Sequence, residues 1–245
     1  PNLLGGRIFI QNILVNGSEV EADIQNWLMR VPFAQPLQPG DSLLFHIEFQ
    51  VQVPSGGGNF YYGIFGYNNG ILSFAHAYPT ILVYNQEGWN NQAPDLDGDP
   101  LFSDASFYIV LIDAPVDLTI VASGVELDRN ETGDRQQVLI TDGPARDFYL
   151  AASLDLIKTS QITDRGVTVN SYAPAGEASG AQEALQFGVA AIEEFGQLYG
   201  DYPYTDFDIV PIITSAGGVE YPGMTAVSSD AYSWGNYLEV VVVHE

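Results

Sequence analysis

Residues 43–53 read LLFHIEFQVQV, and the alternation is strict. Leu43, Phe45, Ile47, Phe49, Val51 and Val53 fall on one side of an extended chain, with Leu44, His46, Glu48, Gln50 and Gln52 on the other. A period of two with apolar residues on one side predicts a half-buried strand. The QPGD turn at 38–41 punctuates its start. Working outward, runs of the same kind recur: SFYIVLID at 106–113, DLTIVASG at 117–124, RQQVLITD at 135–142 and RDFYLAAS at 146–153. Turns rich in Gly, Pro, Asn and Asp separate them, and no helical period interrupts them. Residues 1–156 are therefore expected to form a mainly β domain, a sandwich or saddle-shaped sheet.

The pattern changes from residue 157 onward. GVTVNSYAP at 166–174 predicts one more strand. AQEALQFGVAAIEEFGQLYG at 181–200 predicts a helix, with Ser179 as its cap and Gly200 as its stop. Leu185, Val189, Ile192, Phe195 and Tyr199 recur at helical spacing and predict the core-facing stripe. FDIVPII at 207–213 predicts a strand again. Residues 157–245 thus read as the beginning of an α/β domain.

Composition bounds the function. The formal net charge is −24, and Lys158 is the only lysine. Such a surface repels phosphate backbones and anionic membranes, which argues against nucleic-acid binding. It fits an exported protein or a salty habitat better than a cytosolic one, so an extracellular or cell-envelope location is expected. The absence of cysteine excludes disulfides, thiol catalysis and thiolate metal sites within the chain. No apolar run is long enough to predict a transmembrane segment. The chain begins at Pro1 rather than at methionine, so a piece of a longer protein is expected.

Several motifs carry candidate chemistry. SAGGVEYPGMTA at 215–226 sets one carboxylate, Glu220, among glycines, with no basic residue within five positions on either side. VVVHE at 241–245 ends the sequence on a histidine and a glutamate. A His-Glu pair by itself is common and reads as a surface pair. The four valines 240–243 favour a strand by propensity. APDLDGDP at 93–100 spaces Asp95, Asp97 and Asp99 like a calcium loop, but Ser106 occupies the position that needs a glutamate, so it reads as an acidic turn. His46, on the polar side of its strand, reads as structural. Asn16-Gly-Ser and Asn130-Glu-Thr fit the glycosylation sequon, and the aromatics of FYYGIFGYNN at 60–69 read as packing.

Taken in order, these motifs resemble the zinc aminopeptidases of the aminopeptidase N family, the gluzincins. GGVEY at 217–221 is similar to that family's GAMEN or GGMEY strand, and His244-Glu245 to the first half of its HExxH helix. GDYPYTDFDIVPI at 200–212, VNG at 15–17, LQPGDSL at 37–43, AYPTILVYNQEGW at 77–89 and RDFYLAAS at 146–153 match further landmarks in sequence order. Val219 stands for the usual methionine and Tyr221 for the asparagine of the best-known members. AHAYP at 75–79 replaces an arginine-containing run, so no substrate contact is assigned to His76.

The resemblance implies a β saddle domain followed by the first part of a thermolysin-like catalytic domain, with the valine run as a buried helix. It implies a zinc aminopeptidase acting on peptides with a free N-terminus. His244 would be a metal ligand, Glu245 the general base, Glu220 the group that binds the substrate amine, and Gly217 and Gly218 the contacts to the peptide backbone. The remaining zinc ligands and a transition-state tyrosine would lie beyond Glu245, leaving residues 1–245 inactive by themselves. Two other readings stay open: a non-catalytic relative acting as a scaffold, and a β-rich extracellular binding module.

Overall fold

The computed structural model describes residues 6–33, 35–55, 64–93 and 102–245. The Asp95–Asp99 loop and residues 60–63 lie outside them. Among the described residues the regular elements of the first part are all strands: β1 (Arg7–Val15), β2 (Ser18–Glu19), β3 (Asp23–Gln25), β4 (Leu28–Arg30), β5 (Phe45–Gln52), β6 (Phe65–Asn68), β7 (Ile71–Phe74), β8 (Tyr84–Asn85), β9 (Gly88–Trp89), β10 (Ser106–Pro115), β11 (Thr119–Ala122), β12 (Val125–Thr132), β13 (Arg135–Ala145) and β14 (Leu150–Ser153). An α/β part follows: β15 (Leu156–Ile162), β16 (Thr168–Pro174), helix α1 (Ala178–Tyr199), β17 (Asp206–Ile212), β18 (Gly218–Tyr221), β19 (Met224–Ser228) and helix α2 (Tyr237–His244). Among the described residues no helix is long and apolar enough to cross a membrane.

The strand expected at 43–53 is β5. It pairs with β1, and its Phe45, Ile47 and Val51 are partly covered while His46, Glu48, Gln50 and Gln52 are exposed. The QPGD turn is closed by the Asp41 N–H donating to the Gln38 carbonyl at 3.0 Å. The β part is divided among small sheets, in the orders β2-β1-β5, β10-β13-β12 and β11-β14-β7-β6.

The α/β part is built on one five-stranded sheet in the order β15-β16-β17-β19-β18. β16 and β17 run parallel, and α1 makes the crossover between them. Parallel strands buried on both faces carry continuous apolar runs, which is why FDIVPI shows no alternation in sequence. In space the alternation returns. Phe207 and Ile209 of β17 join Val169, Ala173 and Val227 beneath the helices. Val210 and Ile212 join Tyr172, Met224 and Ala226 on the opposite face, where Ala75, Val121, Tyr149 and Ala151 arrive from the β part. The two parts therefore share one apolar layer.

Helix α1 departs from its expected form in two ways. It begins at Ala178 with Glu177 as the N-cap residue, not with Ser179 as cap. The Glu177 carbonyl already accepts the Ala181 N–H, which places the first turn ahead of Ser179. Its buried face is also different. Leu185 and Ile192 are buried as expected, but Phe195 is 42% exposed and Tyr199 83%. The face is set by small residues: Gly180, Ala181, Ala184, Gly188 and Gly196 are the other buried positions. A Cβ on Gly188 would lie 2.7 Å from Ile209 Cδ1, so the helix sits too close to β17 for larger side chains along that line. Phe195 and Tyr199 instead line an open groove of about 340 Å³, together with Tyr202, Phe207 and Val243.

Asp208 is the polar exception in β17. Its carboxyl lies on the face shared with the β part, beside its register partner Asn170 of β16. The Asn170 side-chain N–H donates to Asp208 Oδ1 at 2.7 Å, and the Ser160 hydroxyl donates to Asn170 Oδ1 at 2.7 Å. Burial pushes the Asp208 carboxyl up to about 7, against the opposing pull of the Asn170 hydrogen bond and Lys158. A carboxyl raised above its unfolded value costs stability as the unfolded chain ionises first. The loss begins near pH 4 and is complete once the pH passes the folded value. Asp208→Asn keeps the acceptor and removes the charge. Denaturation midpoints for the two proteins should coincide near pH 4 and diverge towards pH 8, with the variant more stable there by up to about 4 kcal/mol. A gap that does not change with pH would contradict this origin.

Candidate active site

The site expected from sequence is assembled by β18 and α2. The Tyr-Pro-Gly-Met turn at 221–224 places Gly223 at φ +75°, the left-handed position that glycine adopts without strain. It folds β18 back antiparallel to β19, with Glu220 opposite Thr225 and Tyr221 opposite Met224. At the other end the Ser228 N–H donates to the Gly217 carbonyl at 2.6 Å. β18 is the last strand of its sheet, so its outer edge has no strand partner among the described residues.

Side chains of β18 alternate between the two faces. Tyr221 turns towards the β part and stacks on Tyr149 of the loop before β14, with ring centroids 4.2 Å apart and planes 15° apart. Tyr149 is fully buried. Its N–H donates to the Ser123 hydroxyl at 2.8 Å, which holds the ring against the shared layer. Gly218 and Glu220 turn the other way, towards α2.

The valine run forms a helix, not a strand. Leu238, Val241 and Val242 are its buried residues. Their i, i+3, i+4 spacing gives an apolar stripe against α1 and the sheet, and this burial outweighs the strand propensity of valine. The helix brings the Glu245 carboxyl near that of Glu220. Burial first, then the nearby Glu220 carboxyl, push the Glu245 carboxyl up to about 7, and neighbouring His244 opposes the shift. Glu245 Oε1 also approaches within 2.7 Å of where a Cβ on Gly218 would be. Gly217 and Gly218 thus face Tyr237, Val241 and Glu245 of the α2 segment, Glu245 lies near Glu220, and His244 adjoins this place only through Glu245, its neighbour in sequence.

His244 is exposed at the end of α2. An exposed imidazole beside carboxylates matches the nitrogen and oxygen preference of zinc. Among the described residues, however, no group of three or more His, Cys, Asp or Glu side chains could hold a metal ion. The donors present fit one ligand of a zinc site and not a complete set. The other histidines pair elsewhere: His46 with Glu48 and His76 with Asp147, each at 3.3 Å. Two contributors escaped the sequence reading. Tyr149 lies in RDFYLAAS, which is read as a strand and a family landmark with no role for the tyrosine. Tyr237 precedes Val241 and Glu245 by steps of four, a helical signal that becomes visible once the valine run is read as helix.

No protein-family model and no curated protein matches the chain. Its fold is shared with solved M1 zinc metallopeptidases. A two-domain M1 zinc metallopeptidase, solved as an alanine-for-glutamate mutant bound to L-arginine, superposes with a TM-score of 0.63 at 16% identity, over 99% of this chain and 54% of its own. A mutant of the same kind bound to L-tryptophan gives 0.62 at 16% identity, over 99% and 55%. An M1 zinc metallopeptidase mutant from Deinococcus radiodurans gives 0.60 at 15% identity, over 99% and 54%. The chain spans about half the length of these structures, and at this identity the likeness establishes a common fold.

Tyr149 joins the site to the β part through a fully buried ring. Tyr149→Ala should cost about 3–5 kcal/mol in urea denaturation, the usual loss for a buried aromatic. Limited proteolysis of the variant should expose both parts together, because the layer they share is opened. Cleavage confined to one part would contradict the shared layer.

Proposed function

We propose that this chain is the amino-terminal portion of a zinc aminopeptidase of the aminopeptidase N family, which removes the N-terminal residue from peptides. Residues 1–156 would be its β domain and residues 157–245 the first part of its thermolysin-like catalytic domain. The observation that carries this reading is the approach of Glu245, the residue after His244, to the strand that bears Glu220: its Oε1 lies 2.7 Å from where a Cβ on Gly218 would be. The fold common to M1 zinc metallopeptidases supports it across 99% of the chain. The acidic, lysine-poor surface supports an extracellular or envelope location.

In this reading His244 holds zinc, with further ligands supplied by sequence following Glu245. Zinc, when bound, supplies Lewis-acid polarisation of the scissile carbonyl and acidifies a bound water. Glu245 would be the proton acceptor. Glu220 receives the α-ammonium of the substrate. The open edge of β18 offers backbone groups of Gly217 and Gly218 to an extended peptide.

The test is Glu220→Gln in the protein that carries the full zinc site. A charge-assisted hydrogen bond contributes about 1.5–3 kcal/mol, so kcat/KM on free-amine peptides should fall roughly ten- to a hundredfold. Zinc content should hold, and N-acetylated peptides, poor substrates from the outset, should lose little more. Equal slowing of both substrates, or loss of metal, would rule out the amine-binding role.

A further inference from the structure

The dipeptide Asn-Gly occurs at 16–17 and again at 69–70, and the fold uses both in the same way. Each is the two-residue turn of a tight hairpin. Val15 pairs with Ser18 across the first, between β1 and β2, and Asn68 with Ile71 across the second, between β6 and β7. Asn16 has φ +49° and Asn69 φ +47°, and their glycines follow at +80° and +82°. A type I′ turn requires two such left-handed residues, and Asn-Gly supplies them with little strain. All four residues are exposed.

The two asparagines differ in what holds them. The Asn16 side-chain oxygen accepts the Leu44 N–H at 2.9 Å, and the Asn16 N–H donates to the Leu44 carbonyl at 2.8 Å. The first turn is thus tied to the chain that enters β5. The Asn69 side chain makes no hydrogen bond among the described residues. This difference matters because of what asparagine does before glycine. With no side chain to shield it, the glycine nitrogen can attack the asparagine Cγ. The N–Cγ bond forms, the Cγ–Nδ2 bond breaks, and Nδ2 leaves as ammonia with the proton from the glycine N–H. Water then opens the resulting five-membered ring at either carbonyl, giving aspartate or isoaspartate. For the attack the asparagine must leave its turn conformation and bring Cγ to the next nitrogen. At Asn16 that movement breaks the hydrogen bond to Leu44. At Asn69 it breaks no side-chain bond.

We infer that Asn69 is a site of spontaneous deamidation in the folded chain, and that the hydrogen bond from Leu44 spares Asn16. Either product carries a negative charge that asparagine lacks. Isoaspartate also lengthens the backbone path through a two-residue turn, and the turn is what fixes the register of a hairpin. β7 lies inside the sheet β11-β14-β7-β6, and its buried Ile71 pairs with Ser153 of β14 as well as with Asn68. Conversion at Asn69 therefore strains the attachment of β6 to that sheet.

The test follows both asparagines in the 245-residue chain, incubated folded at neutral pH and, in parallel, unfolded in urea. Peptide mass spectrometry after Glu-specific cleavage reads the mass gain at each site. Each folded rate is divided by the rate of the same site in urea, which cancels the effect of neighbouring residues. The ratio for Asn69 should exceed that for Asn16 by roughly two- to tenfold, the weight of one net hydrogen bond. Equal ratios, or a larger one for Asn16, would overturn the inference. So would a folded chain whose Asn69 stays intact while the chain in urea is converted, because the hairpin alone would then protect it.

Discussion

Every residue of β17 from Phe207 to Ile212 is buried, so this strand has no solvent face. Two consequences follow from that constraint. Both of its sides must be covered, by the helices on one and by the β part on the other, which fixes the α/β layer between them. Any polar group on it must also find a partner inside, as Asp208 does in Asn170. β19 lies parallel to β17, and β18 returns beside β19 at the edge of the sheet. The edge strand thus inherits its position from the most buried strand in the molecule. A carboxylate on a loop would wander. Glu220 is held by a strand whose other face is pinned by the Tyr149–Tyr221 stack, and such support is what keeps a binding group in place before its ligand arrives.

Much of this architecture could be read from the sequence, and the reasons are local. The alternation at 43–53 reports a sheet with one wet face. The unbroken FDIVPI reports a strand with none. The Pro222-Gly223 pair reports the turn that aims Glu220. The illegible elements are those whose stability is borrowed from afar. β12, VELDRNET, is exposed at seven of its eight positions and has no apolar period, so its pairing with β13 leaves no trace in its own residues. The buried face of α1 is made of alanines and glycines, which carry little hydrophobic signal, while its larger Phe195 and Tyr199 lie open to solvent. The glutamate at 220 is conspicuous in sequence because nothing basic lies near it. That its neighbour in space is a second carboxylate depends on the path of α2, and no spacing within the 215–226 stretch encodes that.

The shortage of bases shapes the electrostatics of the site. Arg129, Arg135 and Arg165 are engaged with Glu126, Asp113 and Asp201. Among the described residues Glu220 takes part in no ion pair with them. Two carboxyl groups close together, on a chain of net charge −24, create a strongly negative point. A field of this kind draws in cations and repels anions before any contact is made. The lack of a basic neighbour at Glu220 thus has the same cause as its attraction for a positively charged partner: among the described residues the protein offers it no cation of its own.

Lys158 gives the molecule an unplanned convenience. It is the one lysine in the sequence, it is exposed, and its ammonium lies 5.4 Å from the centre of the Tyr172 ring, close enough to Asp208 to influence its ionisation. An amine-directed label therefore has a single side chain to find. A dye or isotope tag attached there would sit over the sheet that joins the two parts of the chain. With the terminal amine blocked, the scarcity of positive charge would make that side chain a site-specific reporter.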